Sequence, residues 1–284
     1  MTGTIAVTGA TGYVGGQVAR RLAAAGVAQT LLVRDPARAP ALPGAAVARA
    51  SFGDRDSAVA GLAGAEVVLM VSAAESADRL DQHRTFVDAA ARAGVRHLVY
   101  TSFVAAAPES TFTLGRDHWH TEQHIRASGL VYTFLRDNLY AEFLSLMVGP
   151  DGVIRGPAGD GRVAVVARDD VADVAAAVLT EVAADPAAHA GAVYHLTGPE
   201  ALTLASCAEI MTAVGGRQVH YEPETIEEAY ASRAGYGAPA WQVDAWVSTY
   251  TAIASGDLAA VSDDVRRLAG HPATALADVL RRVG

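Results

Sequence analysis

The sequence predicts an α/β fold of the Rossmann type, with a doubly wound parallel sheet covered by helices on both faces. Short β-like segments alternate with helical segments through the first half of the chain, which is the pattern of successive βαβ units. The segment Val67–Val71 is apolar at every position, as expected for a strand that is covered on both faces. A glycine-rich turn, Gly9–Gly15, directly follows the first of these segments.

The predicted elements follow in chain order. The strands of the first half are Thr4–Thr8, Gln29–Val33, Ala46–Ala50, Glu66–Val71, Arg96–Thr101 and Val131–Arg136. Beyond Arg136 the alternation weakens: Asp169 and Asp170 are predicted to cap a helix, Ala192–Leu196 is predicted as a strand, and the remainder reads as mainly helical. We therefore expect an NAD(P)-binding domain over residues 1–136. Residues 137–284 are expected to form a smaller, mainly helical substrate-side lobe, with segments that return to the first sheet.

The composition favours a soluble, cytoplasmic protein. The formal net charge is −9 and no basic block is visible, so we expect no binding to nucleic acid or to an anionic membrane surface. No apolar stretch reaches the roughly 20 residues that span a bilayer. The single cysteine, Cys207, excludes an intrachain disulfide and falls on a helical apolar stripe, which predicts that it is buried. All 22 basic residues are arginines, so the chain contains no lysine.

The glycine-rich turn predicts a binding site for the pyrophosphate of a dinucleotide. Glycine allows backbone angles and a close approach of the phosphate that a β-carbon would prevent. The helix that begins at about Gly12 directs its N–H groups and the positive end of its dipole at that anion. Because the turn lies between a strand and a helix of one βαβ unit, NAD(P) is the expected ligand.

The end of the second predicted strand indicates which dinucleotide is bound. A site that prefers NADH usually places an acidic residue there, against the ribose hydroxyls. This chain has Arg34 first, followed by Asp35. A guanidinium can bind a 2′-phosphate through two parallel hydrogen bonds, so we expect NADPH to be preferred over NADH. The alternative is a solvated surface arginine.

Several further stretches are typical of one known family. They are Ile5–Gly12, Val33–Pro36, Gln82–Arg84, Tyr100–Ser102, Tyr132–Tyr140, Ser262–Asp264 and Gly270–Pro272. In these stretches the chain resembles the NmrA-like, atypical short-chain dehydrogenase/reductase family, especially its NAD(P)H:quinone oxidoreductase type 2 and triphenylmethane reductase branches. The resemblance covers nearly the whole chain. It implies a reductase of quinones or similar planar electrophiles, and a homo-oligomer on family grounds alone.

The resemblance also implies roles for individual residues. The pyrophosphate would be lined by Gly9, Thr11, Gly12, Tyr13, Val14 and Gly15, the adenosine phosphate by Arg34, and the adenine by Phe52, Gly53 and Asp54. Ser72 and Ala73 would flank the ribose, Thr101, Ser102 and Phe103 would meet the cofactor, and Asn138 and Tyr140 would face the nicotinamide and the substrate. The alternatives for Phe52 and Tyr140 are a core position and a helix interface.

The catalytic pair of ordinary short-chain dehydrogenases is missing. In those enzymes a Tyr-x-x-x-Lys pair protonates the alkoxide that hydride transfer forms. With the helix near residues 115–128 aligned on Glu122, Leu114 and His118 take the places of that tyrosine and lysine. Reduction of a quinone instead yields a phenolate-like anion with a proton affinity near that of tyrosine, which water or His118 could protonate. A triphenylmethane dye cation needs no proton.

Some alternatives stay open at this stage. His118 is a candidate catalytic residue, but together with Trp119, His120 and His124 it could belong to an exposed helix surface. His120 and His124 have a metal-binding spacing without the other expected ligands, so we predict no metal. A non-catalytic, NADP(H)-sensing regulator would also lack the dehydrogenase pair, and an isomerase or a specialised reductase of secondary metabolism would use the same cleft.

Overall fold

A computed structural model describes residues 4–283 of the chain. Its strands are β1 (Ile5–Thr8), β2 (Gln29–Val33), β3 (Ala45–Arg49), β4 (Val67–Met70), β5 (His97–Phe103), β6 (Val131–Asp137), β7 (Val153–Gly156), β8 (Arg162–Val163), β9 (Ala192–Leu196), β10 (Leu202–Thr203) and β11 (His220–Pro223). Its α-helices are α1 (Tyr13–Ala24), α2 (Arg55–Gly61), α3 (Arg79–Arg92), α4 (Thr113–Ala127), α5 (Arg168–Ala184), α6 (Leu204–Gly215), α7 (Ile226–Arg233), α8 (Ala240–Ala254), α9 (Asp264–Ala269) and α10 (Leu276–Val283). The outer ends of the two predicted domains, residues 1–3 and 284, lie outside the described residues.

The main sheet has seven strands in the order β3-β2-β1-β4-β5-β6-β9. The pairs β1–β2, β1–β4, β2–β3 and β4–β5 are parallel. The strand order therefore runs outward from β1 in both directions, so the carboxyl ends of β1 and β4 border a topological switch point, where open α/β sheets bind ligands. The predicted Rossmann-type sheet is confirmed, and each predicted strand lies within two residues of its observed bounds.

The first compact unit comprises residues 1–102, 117–136 and 171–194. Strands β1 and β4 are buried at every position, because helices cover the sheet on both faces. One core cluster joins Met70, Phe86, Tyr100 and Phe134, all fully buried. This buried core lies beneath the strands whose carboxyl ends carry the predicted cofactor residues.

The second compact unit comprises residues 103–116, 137–170 and 195–284. Its secondary structure is mainly helical, with two small two-stranded sheets, β10-β8 and β11-β7. Its core cluster includes Leu144, Ile154, Cys207 and Ile253, all fully buried. Cys207 is a free thiol in this core, as predicted, and burial raises its pKa to about 12.

The structure differs from one helix prediction. Asp169 and Asp170 lie in the first turn of α5, which begins at Arg168, so they do not cap the helix as expected. Both acids still favour the positive end of the helix dipole, which explains why the same residues signalled a helix start. Among residues 4–283, no helix is long and apolar enough to cross a membrane.

Candidate functional site

The turn between β1 and α1 has the geometry of an anion-binding loop. Gly9 has φ +66°, and a Cβ on Gly15 would lie 2.5 Å from the carbonyl oxygens of Thr8 and Gly9. Gly12 is the N-cap of α1 and has no side chain to cap the helix. The turn therefore requires glycine on steric grounds, and the N-terminus of a 12-residue helix faces outward beside Thr11 and Tyr13, which are exposed.

Two charged residues, Arg34 and Asp35, follow the carboxyl end of β2, and they have different environments. The Asp35 carboxylate accepts a hydrogen bond of 3.0 Å from the Ala37 N–H and caps the 3₁₀ helix Pro36–Arg38. Arg34 is exposed and has no hydrogen-bond or ion-pair partner among residues 4–283. The Asp35 carboxylate is therefore engaged with the Ala37 N–H, whereas the Arg34 guanidinium is available to bind an anion.

The residues predicted on the adenine side follow β3. Phe52 is half-buried, and its ring packs against that of Phe86 at 4.4 Å, so part of its role is core packing. Gly53 is exposed. The Asp54 carboxylate caps α2 by accepting a bond from the Ser57 N–H, and hydrogen bonds from Ser57 lower the pKa of that carboxyl. The half-buried Phe52 ring and the exposed Gly53 thus form part of the surface after the carboxyl end of β3.

The segment after β4 is held by three consecutive hydrogen bonds to side chains. The backbone N–H groups of residues 71, 72 and 73 each donate to a side chain of a different element. The pairs are Val71 to Thr8 Oγ1, Ser72 to Thr101 Oγ1 and Ala73 to His83 Nε2, each at 2.9 Å. Ser72, Ala73 and Thr101 were predicted from the sequence. Thr8 and His83 were not, and they fix the shape of this segment.

His83 is fixed in one tautomer. Its Nε2 accepts the Ala73 N–H, so Nδ1 carries the proton and donates to Thr121 Oγ1 at 2.9 Å. Thr121 in turn donates to the Asp117 carbonyl oxygen at 2.7 Å. His83 is fully buried, and burial together with the positive charge of Arg79 lowers its pKa to about 3. A neutral imidazole therefore holds the Ala73 peptide at ordinary pH.

Arg79 binds the carbonyl group of the same residue, Ala73. Its Nε donates to the Ala73 carbonyl oxygen at 2.9 Å, and its Nη2 donates to His118 Nε2 at 3.1 Å. His118 Nδ1 then donates to the Tyr100 hydroxyl at 2.9 Å. Burial, followed by the nearby charge of Arg79, places the pKa of His118 well below its ordinary value.

His118 is 6% exposed, so the alternative that it belongs to an exposed surface is wrong. The error arose because α4 presents different faces to its surroundings: His120 is exposed, whereas His118 and Thr121 are buried. His124 is half-buried, and its Nε2 lies 2.7 Å from the Asp88 carboxylate. Histidine spacing alone does not reveal which face of the helix packs inward.

Ser102 belongs to a buried ionic cluster at the end of β5. Its hydroxyl donates to Glu122 Oε1 at 2.6 Å. Arg136 donates to both oxygens of the same carboxylate, at 2.8 and 2.7 Å. Glu122 and Ser102 are fully buried. This bidentate pair satisfies a carboxylate that would otherwise be strongly unfavourable in the core.

The predicted residues Phe103, Asn138 and Tyr140 lie in the second unit. Phe103 is buried in its core cluster. The Asn138 side chain donates to the Leu258 carbonyl oxygen at 3.0 Å and accepts the Leu139 N–H at 2.8 Å, so it fixes the chain after β6. The half-buried Tyr140 hydroxyl donates to Asp137 Oδ2 at 2.7 Å. Burial and the Asp137 charge raise the pKa of Tyr140 well above its ordinary value.

The second unit also contains an open cavity of about 510 Å³ with aromatic walls. Its lining includes Phe143, Tyr236, Trp246 and Tyr250, and the Tyr236 and Trp246 rings meet edge to face at 6.0 Å. Arg233 lies over the Tyr250 ring, 5.1 Å from its centroid. Aromatic walls of this kind suit planar ligands.

The sequence prediction missed the buried side chains that shape the site. Arg79 and His83 lie four residues apart on α3, and Phe86 follows three residues later on the same buried face. A charged residue on the apolar face of a helix was the available signal. The signal for Arg136 and Glu122 was weaker. Their ion pair joins β6 to α4, and no sequence pattern predicts that these two side chains meet.

Comparison with known proteins adds independent information. Residues 1–238 match the NmrA-like family. Quinone oxidoreductase 2 of Escherichia coli is 36% identical over 96% of each chain, and its structure in complex with NADPH superposes with a TM-score of 0.88 over 98% of this chain and 99% of that chain. NAD(P)H azoreductase of Xenophilus azovorans is 32% identical over 96% of each chain. The triphenylmethane reductase of Citrobacter sp., in complex with NADP(H), gives a TM-score of 0.85 at 32% identity over 99% of this chain and 100% of that one.

Proposed function

The chain belongs to the NmrA-like family, and from this premise we propose that it is an NADPH-dependent oxidoreductase that transfers hydride to a quinone or a similar planar conjugated acceptor. The observation that carries the proposal is a glycine turn without a side-chain cap, together with an exposed Arg34 whose neighbour Asp35 is engaged with the Ala37 N–H. The high-coverage relatives are a quinone oxidoreductase and an azoreductase.

We propose that the first unit holds the cofactor at the carboxyl edge of its sheet. The glycine turn, with Gly9, Thr11, Gly12, Tyr13, Val14 and Gly15, would bind the pyrophosphate through backbone N–H groups at the start of α1. Arg34 would bind the 2′-phosphate, and Phe52, Gly53 and Asp54 would border the adenine. Ser72, Ala73 and Thr101 would border the ribose in a segment whose shape is already fixed by hydrogen bonds.

Bound NADPH supplies the hydride, and the protein's task is to orient the reactants and limit water. Of the two proton sources that the sequence left open, water fits better than His118. The His118 imidazole is neutral, its Nδ1 proton is donated to Tyr100, and its Nε2 accepts from Arg79. We therefore propose that His118 is a positioning residue for Arg79, and that Ser102 positions Glu122 in the same manner.

We propose that Asn138 and Tyr140 border the acceptor. Asn138 fixes the backbone after β6 with both ends of its side chain. The raised pKa of Tyr140 keeps its phenol protonated, so it presents a neutral, planar ring rather than a proton donor matched to a hydroquinone anion. The expected partner is a small planar electrophile. A cytoplasmic location and a homo-oligomeric state stay predictions.

The deciding experiment measures NADPH oxidation by the purified chain with simple quinones, an azo dye and a triphenylmethane dye. Protein-dependent turnover with at least one acceptor is expected. Tight NADP⁺ binding without turnover on any acceptor would contradict the reductase proposal and favour a regulatory, cofactor-sensing role.

A further inference from the structure

The two most exposed large hydrophobic side chains of residues 4–283 lie at one cavity. Leu146 is 78% exposed and Tyr236 is 74% exposed, and both line the aromatic cavity of the second unit. Phe143, another exposed hydrophobic residue, lines it as well. Single exposed hydrophobic residues are common on protein surfaces, but a group of them at one place marks a binding site. None of the residues predicted from the sequence lines this cavity, so it is a further candidate site.

One wall of the aromatic cavity is fixed by packing. Tyr250 is buried, and a Cβ on Gly156 would overlap with its ring, so the ring packs directly against the Gly156 backbone. The Arg233 guanidinium lies over the same ring. Arg233 is itself held by hydrogen bonds to the Glu224 carboxylate at 3.0 Å and to the Arg155 carbonyl oxygen at 2.9 Å. The Tyr250 ring therefore provides an aromatic surface in a fixed position.

Another part of the lining is held loosely. Tyr236 ends the 3₁₀ helix Ala234–Tyr236, and Gly235 and Gly237 flank it. A Cβ on either glycine would meet no atom within 4 Å, and Gly237 has φ +65°. The Tyr236 ring meets the Trp246 ring edge to face and is otherwise largely exposed. Because glycine leaves the backbone on both sides free to rotate, this ring can turn onto a ligand without a change in the core.

The positive charges that line the aromatic cavity are already paired. Arg155 and Arg233 are the two charged residues of the lining. Arg155 pairs with the Asp151 carboxylate at 2.8 Å and with the Glu222 carboxylate at 3.2 Å, and Arg233 pairs with Glu224 at 3.0 Å. Two guanidinium groups are thus matched by three carboxylates, so they offer an anionic ligand no unpaired cation. The negative faces of aromatic rings likewise favour a neutral or cationic ligand.

We propose that the aromatic cavity binds the ring system of the acceptor, and that it selects planar molecules of two or more rings without an acidic group. The Tyr236 ring packs on the bound ligand. The volume of about 510 Å³ falls within the range of cavities that hold drug-sized ligands, so a ligand of several rings fits it better than a single quinone ring. The identification of this ligand as the acceptor rests on the proposed reductase function, whereas the binding itself does not.

Calorimetry with 1,4-naphthoquinone and 1,4-naphthoquinone-2-sulfonate tests the selection by charge, because the two ligands share one ring system. Each titration is made with and without NADP⁺, which cannot reduce either ligand. We expect the neutral quinone to bind at least tenfold more tightly than the sulfonate. The double variant Asp151→Asn with Glu222→Gln leaves Arg155 without its carboxylate partners. Its Kd for the sulfonate should fall about fivefold, while its Kd for the neutral quinone stays within twofold.

Tyr236→Ala tests the loosely held ring. Loss of this aromatic contact should raise the Kd for 1,4-naphthoquinone about tenfold, whereas Tyr236→Phe keeps the ring and should stay within twofold. The matched control is Tyr230→Ala, which removes an exposed tyrosine of α7 outside the cavity lining and should leave the Kd unchanged. Thermal melting establishes that each variant is folded.

The inference would be overturned by the absence of naphthoquinone binding with and without NADP⁺, by equal affinity for the two quinones, or by an unchanged Kd in Tyr236→Ala. If Tyr236→Ala alters the sedimentation of the chain but not the Kd, the exposed side chains form an interface between two copies instead. Tight binding of 1,4-naphthoquinone without NADPH oxidation would contradict the proposed reductase function alone. The two failures are therefore distinguishable.

Discussion

The carboxyl ends of β2 and β4 use arginine in opposite ways. At the end of β2, Arg34 is exposed and has no partner among the described residues. At the end of β4, Arg79 is buried and bonded to Ala73 and His118. An exposed, unpaired guanidinium can select a ligand by charge, but it does little for the fold. A buried one orders the chain around it, so substitutions at the two ends should separate specificity from stability.

The largest effect is expected for a buried ion pair outside these two strand ends, when Arg136 on β6 is changed to alanine. This change leaves the fully buried Glu122 carboxylate without its bidentate partner, and we expect the free energy of unfolding to fall by about 3–5 kcal/mol. Urea unfolding measures it. Arg84→Ala breaks an exposed pair with Asp81 and should change stability by less than about 1 kcal/mol. Similar losses in the two variants would contradict the contrast between buried and exposed arginine pairs.

The next largest effect is expected on lowering the pH, which should destabilise the protein through His83 at the buried end. The pKa of His83 is lowered to about 3, whereas an unfolded histidine titrates near 6.5. Between these values the unfolded chain binds a proton that the native state does not, so the free energy of unfolding decreases as the pH falls. The slope for this one group reaches about 1.4 kcal/mol per pH unit. Urea unfolding of His83→Gln at pH 7 and pH 5 should show a smaller change of the free energy of unfolding with pH than the parent chain. An unchanged pH dependence would contradict the lowered pKa of His83.

At the exposed end, Arg34→Ala should alter cofactor choice without altering stability. Loss of the contact to the 2′-phosphate should raise KM for NADPH about tenfold and leave KM for NADH within twofold. Arg38→Ala is the matched control, since Arg38 is exposed in the adjoining 3₁₀ helix. An equal rise in KM for both cofactors would show that Arg34 does not contact the 2′-phosphate.

The smallest effect is expected for Asp35→Ala. Its carboxylate caps the 3₁₀ helix, so the free energy of unfolding should fall by about 0.5–1 kcal/mol while KM for NADH stays within twofold. Thermal melting and steady-state kinetics measure the two quantities. A clear rise in KM for NADH would instead mean that Asp35 contacts the ribose.

The sequence predicted the glycine turn and the position of Arg34 at the exposed end of the candidate site. It did not predict the contacts of Arg79 and His83 at the buried end. Glycine spacing after a strand reports backbone geometry directly, and Arg34 follows its strand by one residue, so both follow from local pattern. Arg79 and His83 act on Ala73 through side chains that cross from α3 to the end of β4. Such contacts depend on how elements pack, which hydrophobic periodicity alone does not specify. For the same reason the pattern placed the strands within two residues but left His118 undecided between surface and interior.

The burial of Cys207 has a consequence for the proposed reduction of quinones. Quinones are alkylating agents, and they add to thiolates and to unprotonated amines. The chain has no lysine side chain, and its single thiol is fully buried with a pKa raised to about 12. While the protein is folded, neither a thiolate nor a lysine amine is offered to the acceptor. The same composition that removes the dehydrogenase lysine thus leaves the folded chain without the two side-chain nucleophiles, a free thiolate and a lysine amine, that quinones arylate most readily.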